Sequence, residues 1–145
     1  YHLTFQDGVD LYGKYVSNWG DEATRWRFDA IKNGKVIASK TKCPGSFLHI
    51  EAKISSTVLE ESDTYDMASI RIRILDDHDS VASYAQLPIT IQASNNLEII
   101  GGEHIVSEGG MCGTYIRSKA VSSHEMITIS SPGLEPVTLH IQIRG

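Results

Sequence analysis

This sequence predicts an all-β fold of two sheets packed face to face, and three observations carry that expectation. Apolar residues alternate with polar ones in run after run. Those runs are rich in β-branched residues. Clusters of turn-forming residues separate them at short spacing.

The clearest run is Met67-Ala68-Ser69-Ile70-Arg71-Ile72-Arg73-Ile74-Leu75, where Ile70, Ile72 and Ile74 share one face and Arg71 and Arg73 take the other. A helix would scatter these isoleucines around its circumference, so period two marks a half-buried strand. Ile89-Thr90-Ile91-Gln92-Ala93, Met126-Ile127-Thr128-Ile129-Ser130 and Val137–Ile143 repeat the pattern. Asp76-Asp77-His78-Asp79-Ser80, Ser94-Asn95-Asn96 and Ser131-Pro132-Gly133 read as turns. Strands are expected near Leu48–Ile54, Ala68–Asp76, Leu87–Ala93, Leu97–Ile100, Gly113–Ser118, Met126–Ser131 and Val137–Ile143. About seven strands at this spacing fit an immunoglobulin-like β-sandwich over residues 47–145.

Residues 1–46 read differently. Trp26, Phe28 and Ala30 alternate onto one face, with Trp26 expected in a core. Asn33-Gly34 is the signal of a tight hairpin, and Val36-Ile37-Ala38 returns from it. Tyr1 to Gly20 reads as an irregular, aromatic-rich lead. A lone hairpin is barely stable in water. The segment is therefore expected to be the end of a preceding β domain, or a hairpin packed on the sandwich, with Cys43-Pro44-Gly45-Ser46 as the linker.

The 145 residues carry 41% hydrophobic and 21% charged side chains, an ordinary globular balance that can bury a core without metals. A net charge of −5 and scattered histidines offer no basic face for a phosphate backbone, so nucleic acid is not an expected partner. No apolar run approaches the roughly 18 residues needed to span a bilayer, so no membrane partner is expected. The opening Tyr1-His2-Leu3-Thr4-Phe5 lacks the features of a signal peptide. Without an initial methionine, the chain is expected to be a piece of a longer protein. Localisation, whether secreted, periplasmic or cytoplasmic, is left to the upstream part. Cys43 and Cys112 could form one disulfide in an oxidising compartment, but two unrelated thiols are the expected reading, since two cysteines make no disulfide framework.

The search for chemistry yields little. Glu60-Glu61 and Asp76-Asp77 are adjacent carboxylates, but strand neighbours face opposite ways and both pairs fall at turns, so solvated loop charges are expected. Asp76-Asp77-His78-Asp79 lacks the order of an EF-hand, and no paired His or Cys spacing suggests zinc, so no metal is expected. Cys112, in Gly109-Gly110-Met111-Cys112-Gly113-Thr114, superficially resembles a nucleophile turn. A strand pattern follows instead of a helix, so the glycines are expected to bend the chain tightly. Sugar binding through exposed aromatics is the remaining possibility, with Trp19, Tyr15 and Tyr12 as candidates.

The residues together suggest a family. Trp26–Ala38, with Asn33-Gly34-Lys35-Val36-Ile37-Ala38, resembles a strand pair of glycoside hydrolase family 2 enzymes. Leu48-His49-Ile50-Glu51-Ala52 and then Ser62-Asp63-Thr64-Tyr65-Asp66-Met67-Ala68-Ser69-Ile70-Arg71-Ile72 look like the start of that family's C-terminal immunoglobulin-like region. Tyr84–Ile91, Ile100-Gly101-Gly102 and Gly109–Ser118, the last with Gly113-Thr114-Tyr115-Ile116-Arg117, continue the series in order. His78-Asp79-Ser80 departs from the family's usual glycine turn. The resemblance implies the downstream region of a β-galactosidase-like enzyme, whose catalytic (β/α)₈ barrel and two glutamates lie elsewhere. It implies a non-catalytic accessory domain without a cofactor, partnered by the barrel and neighbouring domains of its parent chain. The alternative is a carbohydrate-binding module that brings the parent hydrolase to glycans.

Overall fold

A computed structural model describes residues 1–17, 25–43, 45, 47–119 and 122–145. The chain divides into two compact units, Tyr1–Pro44 and Gly45–Gly145. Among the described residues there are eleven strands and one helix, and no helix is long and apolar enough to cross a membrane.

The first unit opens with helix α1, Phe5–Tyr15, where the sequence reading placed an irregular lead. Its start is fixed by reciprocal capping. The Asp7 N–H donates to Thr4 Oγ1 at 3.2 Å, and the Thr4 N–H donates to Asp7 Oδ2 at 2.7 Å. Gly8 and Gly13, poor helix formers, mask the helical period in the sequence. Strands β1 (Trp26–Lys32) and β2 (Lys35–Lys42) then form the expected antiparallel hairpin. Asn33 and Gly34 at its tip both take positive φ, 51° and 74°, which matches a type I′ turn. The expectation of a core around Trp26 is corrected. Every residue of β1 is exposed, with Trp26 at 41% and Phe28 at 59%, because no second layer among the described residues of this unit covers the aromatic face.

The second unit is the sandwich. One sheet has the order β3 (Leu48–Ile54), β5 (Met67–Asp76), β9 (Met111–Ser118), β7 (Leu97–Ile100). The other has the order β4 (Val58–Glu60), β11 (Val137–Arg144), β10 (Ser123–Ser130), β6 (Pro88–Ala93), β8 (His104–Val106). In immunoglobulin terms the first sheet reads A-B-E-D, and β11-β10-β6 reads G-F-C. Two short strands complete it beyond the expected set. The chain leaves the first sheet after Ile54 and β4 joins the second, parallel to β11. Strand β8 pairs along the outer edge of β6.

The core follows directly from the alternation. Ile70, Ile72 and Ile74 of β5 are buried, as are Ile89 and Ile91 of β6, Ile127 and Ile129 of β10, and Ile141 and Ile143 of β11. Ile116 of β9 and Leu59 of β4 are fully enclosed with them. The inner faces of the two sheets supply one continuous apolar layer, the arrangement that stabilises a sandwich. The Asp76–Ser80 turn closes without glycine. Asp76 Oδ1 accepts the N–H of His78 and of Ser80, each at 2.9 Å, and Asp79 takes φ 55°. Aspartate tolerates this left-handed conformation, which explains how the departure from a glycine turn is accommodated.

Candidate functional site

The aromatic candidates lie in the first unit. Tyr12 and Tyr15 stand on α1, three residues apart and therefore on neighbouring parts of its surface, 59% and 49% exposed. Lys14 Nζ lies 5.0 Å from the Tyr15 ring centre. Trp19 falls outside the described residues, so the structure brings together two of the three.

The loop carboxylates hold positions in the fold. Glu60 ends β4, with its carboxylate 3.7 Å from Arg144, and Asp76 ends β5 as the acceptor that shapes the following turn. His78 Nε2 approaches Asp77 at 3.9 Å, and His49 Nε2 approaches Asp79 at 3.8 Å. Among the described residues no group of three or more His, Cys, Asp or Glu side chains could hold a metal ion.

Cys112 lies within β9, opposite Ile72, and packs partly buried against the core. Burial pushes its thiol pKa up, away from the thiolate that a nucleophile needs. Gly110, at φ 76°, brings the backbone close to Ala82; a Cβ there would lie 2.4 Å from the Ala82 carbonyl oxygen. The glycines turn the chain into β9, as expected.

A buried carboxylate that sequence reasoning missed is Glu125, 6% exposed on β10. It sits two residues before Ile127 and shares that residue's inward face of β10. Asn96 Nδ2 donates to Glu125 Oε1 at 2.8 Å, and the Ser94 hydroxyl donates to Oε2. Ser94 Oγ in turn accepts the Met126 N–H at 3.0 Å. Burial alone would raise this carboxyl's pKa, but hydrogen bonds from Ser94 and Asn96 outweigh it and hold the group below its ordinary value. The bonds tie β10 to the Ser94–Asn96 turn, where the chain passes from β6 in one sheet to β7 in the other. This is an ionised structural clasp, unlike the raised, proton-donating carboxyl that glycoside hydrolysis requires. Beside it, Thr57, Val58, His124, Met126, His140 and Gln142 line an open groove of about 420 Å³.

The outer face of the four-stranded sheet carries more charge. Glu51 of β3 faces Arg73 of β5 and accepts hydrogen bonds from it and from Lys53 Nζ at 3.0 Å. The Lys53 bond, then those from Arg73, hold the Glu51 carboxyl below its ordinary pKa against the effect of burial. Arg117 of β9 binds Glu98 of β7 through Nε at 2.9 Å and Nη2 at 2.7 Å, and lies 5.0 Å from the Tyr65 ring centre.

No family model and no curated protein matches this sequence. Solved structures do. The chain superposes with a TM-score of 0.67 on a glycosyl hydrolase family 2 member from Bacteroides cellulosilyticus, at 12% identity over 83% of this chain and 17% of that one. A beta-glycosidase from Bacteroides vulgatus gives 0.66 at 18% identity, again over 83% of this chain and 17% of that one. A beta-glucuronidase from glycoside hydrolase family 2 gives 0.62 at 16% identity, over 84% of this chain and 14% of that one. The chain thus spans about a sixth of the length of these glycosidases, and across most of its own length it has the fold of a segment of glycoside hydrolase family 2 enzymes.

Proposed function

We propose that this chain is a non-catalytic accessory domain of a family 2 glycosidase, with a β-galactosidase-like parent. The observation that carries the reading is the span of the structural match, which sets most of this chain against a small part of much larger glycosidases. The packing supports it. Isoleucines fill the space between the sheets, and the buried carboxylate at Glu125 serves the fold. The role is to pack on the catalytic barrel and its neighbouring domains and to hold the enzyme's shape. Residues 1–46 belong in this reading to the end of the preceding β domain. A hairpin exposed along its whole first strand gains stability only from further layers.

The purified 145-residue chain is expected to release no nitrophenol from nitrophenyl β-galactoside or β-glucuronide. The parent enzyme with this segment deleted is expected to unfold at lower temperature and lose activity. Hydrolysis by the chain alone, or a deletion that leaves the parent's stability and activity intact, overturns the reading.

The exposure of Tyr12 and Tyr15 favours one second reading, a carbohydrate-binding module acting through Tyr12, Tyr15 and Trp19. Galactose or lactose at millimolar concentration would then shift the NMR signals of Tyr12 and Tyr15. Unmoved signals eliminate it.

A further inference from the structure

The outer face of the four-stranded sheet holds a charge arrangement that the sandwich does not require. Register sets Glu51 opposite Arg73 and Lys53 opposite Arg71. Three cations therefore stand around one carboxylate. Glu51 serves Arg73 and Lys53, and Arg71 makes no ion pair among the described residues. Like charges directly across a strand pair destabilise a sheet. The surplus stands out in a chain whose net charge is −5.

Lys53 and Arg71 flank a depression of about 290 Å³, lined also by Ser55 and Ser69. Ser55 Oγ accepts the Ser69 N–H at 3.0 Å, which leaves its own O–H to donate. Gly113 stands opposite Arg71 on the other side and adds no side chain over the sheet. Tyr115 stands opposite Ser69 on the same outer face, 57% exposed. A simple anion would need only the cations. An aromatic ring beside a cation-lined, hydroxyl-bearing notch suits a pyranose, which offers an apolar face together with polar edges.

We propose that this depression binds a sugar that bears a carboxylate. Arg71 and Lys53 hold the carboxylate, Ser55 donates to a sugar oxygen, and the Tyr115 ring covers the apolar face of the pyranose. The site is small enough to take one sugar residue at a time. It is separate from the Tyr12, Tyr15 and Trp19 candidates, and it stands whether or not the parent acts on galactosides.

The test is an NMR titration of the 145-residue chain with sodium glucuronate, glucose, sodium sulfate and a glutamate-rich peptide at constant ionic strength. Glucuronate is expected to give saturable shifts at Lys53, Ser69, Arg71 and Tyr115 with a millimolar Kd, and glucose none. Arg71→Gln is expected to weaken glucuronate at least about tenfold, as suits the loss of one charged donor group. Its unfolding midpoint should stay at or above that of the parent chain, because the opposed charges are relieved. Tyr115→Ala is expected to weaken glucuronate severalfold and leave sulfate unchanged. Three results overturn the proposal: no saturable glucuronate shift, equal binding of sulfate and glucuronate with no effect of Tyr115→Ala, or tighter binding of the acidic peptide, which would make this a protein-docking face.

Discussion

Truncation of Glu125 tests how the sandwich holds its sheet-crossing turn. Glu125→Ala removes the acceptor for the Asn96 amide at 2.8 Å and for the Ser94 hydroxyl, and leaves both half-buried groups without that partner. A hydrogen bond to a charged group contributes about 1.5–3 kcal/mol, and water reaching the vacated site restores part of that. The expected net loss is about 3 kcal/mol, which lowers Tm by at least roughly 10 °C for a domain of this size. Urea unfolding followed by far-UV circular dichroism should show a lower midpoint with an unchanged m-value. Glu125→Gln keeps an oxygen for Asn96 and should lose only about 1 kcal/mol. A Glu125→Ala protein within about 0.5 kcal/mol of the parent, the range of ordinary surface changes, would refute the assignment of Glu125 as a clasp.

Three further outcomes are expected. Glu125 and Glu51 have native pKa values below their ordinary 4.5, so their contribution is fully present above that pH. It should fade as pH falls through the lower native values, and thermal melts at pH 7, 5 and 3 should show a Tm that drops mainly below pH 5, less steeply in Glu125→Gln. Gly110→Ala would add a Cβ 2.4 Å from the Ala82 carbonyl oxygen at φ 76°, so a loss of about 4 kcal/mol or more is expected; Asp79→Gly, at φ 55°, should be neutral or slightly stabilising in the same melts. The Cys112 thiol, half-buried and with a raised pKa, should react with iodoacetamide much more slowly in the native chain than in urea, as read by mass spectrometry.

The sandwich was legible because its signal is redundant. The long strands of the sandwich set mostly apolar residues, often isoleucine, inward at every second position, and one wrong reading would turn a whole apolar face to water. The hairpin was legible because Asn33-Gly34 has few other conformational uses. Strands β4 and β8 were not legible. Three residues carry too little alternation, and their pairing is set by β11 and β6, distant in sequence. Helix α1 was hidden by two glycines, although Thr4 and Asp7 stand at capping-box spacing. The exposure of Trp26 was not legible either, because alternation tells which side chains share a face and not whether anything covers that face.

Glu125 and the Lys53–Arg71 pair show where pattern reading stops and register begins. Extended backward by two residues, the inward phase of Ile127 and Ile129 reaches Glu125, so the alternation itself flags a carboxylate directed inward. What it cannot supply is the partner. Ser94 and Asn96 lie in a turn about thirty residues away in sequence, and only the pairing of β10 with β6 brings them near. The same holds on the outer face. Lys53 and Arg71 are both visibly outward in phase, yet their opposition depends on the antiparallel register of β3 with β5, and a shift of one residue would move every side chain of β3 to the other face. The buried isoleucines guard that register against a one-residue slip, which would expose Ile50 and the apolar residues in phase with it. The apolar layer thus determines which charges meet on the outside, and the outer chemistry of this domain is a consequence of its inner packing.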